Sequence, residues 1–521
     1  MNRIFVPLFS FCLLLFLAAS PVFAQQDYGE VAFVNSGPAA AQADFLRGLA
    51  QLHNFEYDDA AEYFRKVQQI APDFIMAYWG EAMTKNHPLW HEDIPDVRAA
   101  RLILNRLGNT PQARLAKGLT DREKLYLESV EVLFGEGTKD ERDRRYESVL
   151  SELHRKFPDD VDATSFYALS ILGTAEQGRD FATYMRSAAV LEEVFPQHPR
   201  HPGVVHYLIH SYDDSIHAPL GLRAARIYAK IAPEAGHAQH MTSHIFLALG
   251  MWDEEVKANE IAVSMGNRAR EKAGRPPGRC GHYNEWLEYG YTQQGRIADA
   301  RRIVEGCRQV VERTVAAAHD NNSGTIPMGG MMSPVAIVGS YAEMRANFII
   351  DSQLWNDATI RATLPAGDYP LAQLTFDYTN ALAAIRRGDL PVARDAVSRA
   401  EADGQRALAR WKEEKHDYSQ GPKRLLILTE QLQALLMAAN GKSQEAVADL
   451  RRIAEEEHAL PLEFGPPSIY KPTDELLGDL LLELHRSSEA RDAFQVALAR
   501  APGRRSVVQA LARADKEIAA K

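Results

Sequence analysis

Apolar residues along the chain recur at helical spacing, and runs that alternate apolar and polar positions are few. A recurring unit consists of a glycine turn, an aromatic or aliphatic residue, then a small residue about one helical turn or more later. Examples are Gly250-Met251-Trp252 with Ala262, Gly295-Arg296-Ile297 with Ala300 and Cys307, and Gly388-Asp389-Leu390 with Ala393 and Ala400. Gly441-Lys442-Ser443 with Ala446 repeats the theme, and Tyr146, Leu150 and Leu153 before Pro158 form the face of another helix. Strand and hairpin signals are nearly absent. The pattern predicts an all-α chain of roughly eight to ten short helix pairs.

Two segments keep a 34-residue frame well. Near the C-terminus, Glu475-Leu476-Leu477-Gly478, Ala490, Phe494, Ala497 and Pro502 fall at positions 5 to 8, 20, 24, 27 and 32. Near the N-terminus, Gly48, Ala60, Phe64 and Pro72 occupy positions 8, 20, 24 and 32. Small residues where two helices touch and a proline after the second helix resemble the tetratricopeptide repeat family. The resemblance extends over roughly residues 40 to 510 and implies an α-solenoid, a superhelical array of antiparallel helix pairs. Ala77-Tyr78-Trp79-Gly80 reads as a packing site where a small residue meets a large aromatic one.

Breaks in the frame divide the chain. Residues 1–24 are expected to be a signal peptide and 25–40 a linker. An array over 41–265 is followed by an insertion loop at 266–281 carrying Arg275-Pro276-Pro277-Gly278. A helix pair at 282–320, a Gly/Met-rich loop at 321–334 and a second array over 335–521 complete the division. Met328, Met331 and Met332 in that loop suit an apolar lid better than copper(I) ligation.

Composition adds limits. With 46% apolar and 25% charged residues this is a globular composition, and a formal net charge of −11 argues against a nucleic-acid partner. Arg3, the apolar run Phe9 to Ala19 and Val22-Phe23-Ala24 make an export signal cleaved near Ala24, so a periplasmic or secreted protein is expected. No later stretch is long and apolar enough to span a membrane. Cys280 and Cys307 then either form a disulfide or remain inert buried thiols. P-loop, Rossmann, Gly-x-Ser-x-Gly and His-Glu-x-x-His motifs are missing.

Histidine changes the picture most. Of 17 histidines, those at 198, 201, 206, 210, 217, 237, 240 and 244 crowd one stretch. Spacings of 4, 3 and 4 place His206, His210, Asp213 and His217 on one predicted helical stripe. Spacings of 3 and 4 do the same for His237, His240 and His244. In the repeat frame the latter three take positions 2, 5 and 9, and His282 and Glu285 take positions 2 and 5 of the next repeat. The family resemblance implies that these positions line the concave groove. His53, His87 and His91 reach that groove only if the superhelix curls strongly, and His198 and His201 read as a proline-rich helix entry.

Imidazoles at i, i+4 chelate one transition metal, and His-plus-carboxylate sets suit zinc, iron, copper or nickel. Asp213, Asp214 and Glu234 offer carboxylates to orient the imidazoles or to act on bound water. Two functions remain open from sequence. One is a metal site, enzymatic or not, toward a small molecule or peptide. The other is an adaptor gripping a protein segment in the groove with histidines as polar contacts.

Overall fold

The protein is described here from a computed structural model covering residues 27–89, 97–175, 178–320, 334–364, 368–413 and 420–521. The expected signal peptide, His91 and the methionine loop lie outside these residues. The described chain is all-α, running from α1 (Ala39–His53) to α23 (Arg505–Ala519) with one 3₁₀ turn and no strand. Successive helices pack as tetratricopeptide-like pairs, and no described helix is long and apolar enough to cross a membrane.

Small residues let the pairs close. A Cβ on Gly80, in α3 (Ile75–Met83), would run into the ring of Phe64 in α2 (Tyr57–Ile70), and one on Gly478 into Phe494. Gly80→Ala is therefore expected to cost about 1–3 kcal/mol through overpacking, read as a lowered denaturant midpoint with an unchanged slope. A loss within the error of the measurement would contradict the packing argument.

Three expectations need correction. The stretch read as a linker is partly core: Phe33 is buried against Phe45, Trp79 and Tyr126, and the Glu30 N–H donates to the Arg200 carbonyl at 3.0 Å. Its alternating apolar residues pay the entropy of ordering without any helix. Second, the 266–281 insertion is not all loop, because α13 (Trp252–Lys272) runs into it and stops before Gly274, whose φ is +66°. Asn267 to Lys272 are mostly good helix formers, and the left-handed glycine ends them.

Third, the stripe from His206 to His217 is broken. Helix α10 (Pro202–Ser211) ends before Asp213, and His217 caps α11 (Ala218–Ile231). Asp214 accepts the Ile216 and His217 N–H groups at 2.9 Å, and Arg179 donates to the carbonyls of His210 and Ser211. These side-chain bonds satisfy the helix end more cheaply than another turn would.

The array closes on itself. Trp252 Nε1 donates to the Gly503 carbonyl at 2.9 Å, and the Arg505 N–H donates to Gln293 at 2.9 Å. At the joint sits Arg504, fully buried. It donates to Asp351 at 2.5 Å, to the Tyr289 hydroxyl at 2.9 Å and to the Tyr470 carbonyl at 2.9 Å, with Glu475 beside its Nε. Residues 459–472, between α20 (Ser443–His458) and α21 (Thr473–Glu483), lie against the inner helices. Phe464 meets the His244 ring at 5.4 Å, and Gly465 adopts φ +84° where a Cβ would strike Trp286. Phe464 and Gly465 of this segment thus lie over His244 and Trp286.

Cys280 and Cys307 form a disulfide, with Cα atoms 4.7 Å apart and a sequence separation of 27. Loop-closure entropy for that length is worth about 3 kcal/mol. Cys280→Ala/Cys307→Ala should lose roughly that in denaturant unfolding, and an unchanged midpoint would show that the bridge contributes nothing.

Candidate metal centre

Three inner helices carry the histidines: α10, α12 (Gly236–Ala248) and α14 (His282–Gln294). Each is the first helix of its pair, so one face of each turns inward. His206 and His210 stand on α10, His237, His240 and His244 on α12, and His282 opens α14.

They gather into two trios. In one, a ring nitrogen from each of His240, His244 and His282 lies within 4.8 Å of the others, as does one from each of His206, His210 and His237 in the other. His240 Nε2 is 3.1 Å from His244 Nε2. His206 Nε2 is 3.0 Å from His210 Nε2 and 3.2 Å from His237 Nε2. Metal–nitrogen bonds of about 2.0–2.1 Å place neighbouring nitrogens about 2.8–3.4 Å apart at angles between square and tetrahedral, so these spacings suit shared coordination.

The far side of each ring decides its tautomer. His240 Nδ1–H donates to Asn259 Oδ1 at 2.6 Å, and that amide is oriented by its own Nδ2 donating to Glu255 at 2.7 Å. His244 Nδ1–H donates to the Asp213 carboxylate at 2.5 Å. A neutral imidazole has one N–H, so both Nε2 atoms are bare lone pairs that face each other. Two lone pairs at that distance repel, and a proton or a cation must lie between them.

Burial first, and neighbouring imidazoles second, hold His240 well below the usual histidine range and bring His282 down to about 3. Burial similarly lowers His206 to about 3, against the opposing hydrogen bond to His53. His210 and His237 are lowered by burial and by their histidine neighbours. A metal cation between the two nitrogens would satisfy both lone pairs.

Aromatic groups wall the centre. Trp286 lies 4.2 Å from the His244 ring and 5.0 Å from His240, Tyr283 4.6 Å from His240, and Phe55 4.5 Å from His206. A cavity of about 430 Å³ adjoins them across Phe464 and is also lined by Arg179, Tyr184, Glu343, Arg424 and Glu463.

Other residues singled out in the sequence take different places. Asp213 orients His244 rather than joining a trio, and its Oδ1 is buried without a hydrogen-bond partner. His217 lies apart, bonded through Nδ1 to Asp214. Asp214 also pairs with Arg179 at 2.9 Å. Glu285, one turn beyond His282, is bonded to Ser340 and its carboxyl is raised by burial. Glu234 is exposed. His87 packs on Tyr57 at 4.7 Å, outside both trios.

The superhelix does curl enough to bring α1 onto α10, and His53 reaches the centre through its backbone: its carbonyl accepts the His206 Nδ1–H at 2.7 Å. The His53 side chain belongs to a third group. Its Nε2–H and that of His201 both donate to Asp162, at 2.9 and 3.1 Å, while Tyr207 donates to His53 Nδ1 at 3.0 Å. His201 Nδ1 accepts the Val204 N–H. Every ring nitrogen there is satisfied by protein, so this group is a support. Asp162, Asn259, Trp286 and Phe464 carry no signal in the sequence, because their histidine partners are remote along the chain.

No family model and no curated protein matches this chain. Among solved structures it is similar to the APC/C hetero-tetramer Cut9-Hcn1, at 13% identity over 92% of this chain and 78% of that one, with a TM-score of 0.34. It is also similar to yeast Tom70, at 11% identity over 92% and 96% of the two chains and a TM-score of 0.31. The P58(IPK) TPR domain gives 12% identity, 92% and 99% coverage and a TM-score of 0.21. Scores this low carry no argument about function. The chain's own helix pairs make it a tetratricopeptide-like α-solenoid. Its distinguishing feature is an inner face furnished with imidazoles.

Proposed function

We propose that this is an exported metalloprotein whose interior binds a transition metal ion through His240, His244 and His282. The observation that carries the reading is the pair of bare Nε2 atoms of His240 and His244 at 3.1 Å, each ring locked by a donated Nδ1–H. Carboxylate and amide partners behind metal-bound histidines recur because they set tautomer and orientation. Imidazole ligands select zinc, copper, iron or nickel over calcium and magnesium. Three protein ligands leave a coordination position open, the arrangement of catalytic rather than structural sites. A metal-dependent reaction on a small molecule rests on that open position, since the cavity beyond Phe464 has a small-molecule volume but is lined by none of the three histidines.

An adaptor role in the groove is less well supported, because Phe464 and Gly465 already occupy the surface beside His244 and Trp286. Export is supported by the apolar leader and by the disulfide, a bond of oxidising compartments.

The test is elemental analysis of tag-free protein purified from its own export compartment, beside His240→Ala/His244→Ala. The expected result is near-stoichiometric zinc, copper, iron or nickel, with the variant holding at least one ion fewer per chain. A folded wild-type protein that holds none of these, even after reconstitution, would refute the reading.

A further inference from the structure

The His240/His244/His282 trio has a twin one repeat earlier. His240 and His244 stand 34 residues after His206 and His210, the length of one tetratricopeptide unit. Each trio is built to one recipe: an i, i+4 pair on a first helix, completed by a histidine from the opening turn of the next first helix. For α10 the completing residue is His237 on α12; for α12 it is His282 on α14. The repeat has therefore copied a three-imidazole set along the inner wall.

Protein hydrogen bonding accounts well for one contact of the earlier trio but not for both. His206 Nδ1–H is committed to the His53 carbonyl, so His206 Nε2 presents a single in-plane lone pair. Two other nitrogens, His210 Nε2 and His237 Nε2, crowd that one atom at 3.0 and 3.2 Å. One lone pair can serve one donor well, whereas a cation accepts all three nitrogens. The two trios are also neighbours. The rings of His210 and His244 are 5.8 Å apart, those of His237 and His240 are 6.2 Å apart, and Tyr283 touches both His237 and His240.

We infer that His206, His210 and His237 hold a second transition metal ion, so that the interior carries two ions side by side, each on three imidazoles. This inference rests on the metal reading of the later trio but can fail without it. The ligand is a divalent transition metal that prefers nitrogen donors. Two such ions on six neutral ligands carry a concentrated positive charge, which makes a small anion the fitting occupant of their open positions.

The experiment titrates the full mature chain, stripped of metal, with cobalt(II) and with copper(II), following bound metal and, for copper, the electron paramagnetic resonance signal. Two equivalents should bind, and the copper signal of the doubly loaded protein should show coupling between the ions. His206→Ala/His210→Ala should bind one equivalent, with an uncoupled signal. One equivalent in the wild type, unchanged in that variant, would overturn the second site and leave the first standing. No binding at all would overturn both. Should the variant fail to fold, the wild-type stoichiometry and coupling decide alone.

Discussion

Replacing Arg504 with alanine is expected to destabilise the protein by about 3–5 kcal/mol, the cost of stranding buried charge. Arg504 is fully buried and meets Asp351, Glu475, Tyr289 and Tyr470 at the point where the end of the array returns to α14. Burial alone would lower its pKa, but the two carboxylates raise it above the ordinary arginine value, so it stays charged. Burial pushes Asp351 up to about 6, and Arg504 is the largest influence opposing that rise. Removing the guanidinium leaves Asp351 without its ion-pair partner and Glu475 with Lys471 alone, at 3.4 Å, in low dielectric. Asp351→Asn added to Arg504→Ala should recover part of the loss, since it removes one stranded charge. Chemical unfolding monitored by circular dichroism gives both numbers. A single-variant loss below about 1 kcal/mol, the scale of an exposed pair, would mean that water reaches the joint.

Replacing Asp213 with alanine should weaken metal binding 10–100-fold, the usual cost of losing an orienting partner behind a ligand. Asp213 accepts the His244 Nδ1–H at 2.5 Å. Without it the ring is free to rotate or to move its proton to Nε2, where the proton would occupy the lone pair the metal uses. Competition against a chromophoric chelator measures the change. The contrast is Asp214→Ala, which removes a neighbouring carboxylate that bonds Arg179 and His217 but touches neither trio. Equal effects from the two substitutions would show a diffuse structural role for Asp213.

Much of the architecture was legible because each repeat uses small residues at fixed offsets, as at Gly48 and Gly478. Their packing partners lie on adjacent helices, within reach of a local pattern. The inward faces of α12 and α14 followed from the same count. Legibility failed where long-range contacts compete with local preference. Asp213 and His217 fit a helical stripe, but Arg179 and Asp214 end the helix first. Val31 and Phe33 resemble a linker until Trp79 and Tyr126 are placed beside them. The packing of Phe464 and Gly465 over His244 and Trp286 was illegible, since nothing in a Pro/Gly-rich stretch says which surface it will meet. The division of the histidines into two trios was likewise hidden, because His237 completes the set of the helix before its own.

The disulfide lies two residues before His282, so an ion held by His282 would link sulfur oxidation to metal binding. A tether that restrains His282 in the metal-free protein lowers the ordering cost of bringing it to the ion. By thermodynamic reciprocity, an ion on His282 must stabilise the bridge by the same free energy. A reductant would then weaken the proposed metal site without touching any ligand, and a chelator would make the bridge easier to reduce. The two cysteines would thereby give an inner histidine a dependence on the redox poise of its surroundings.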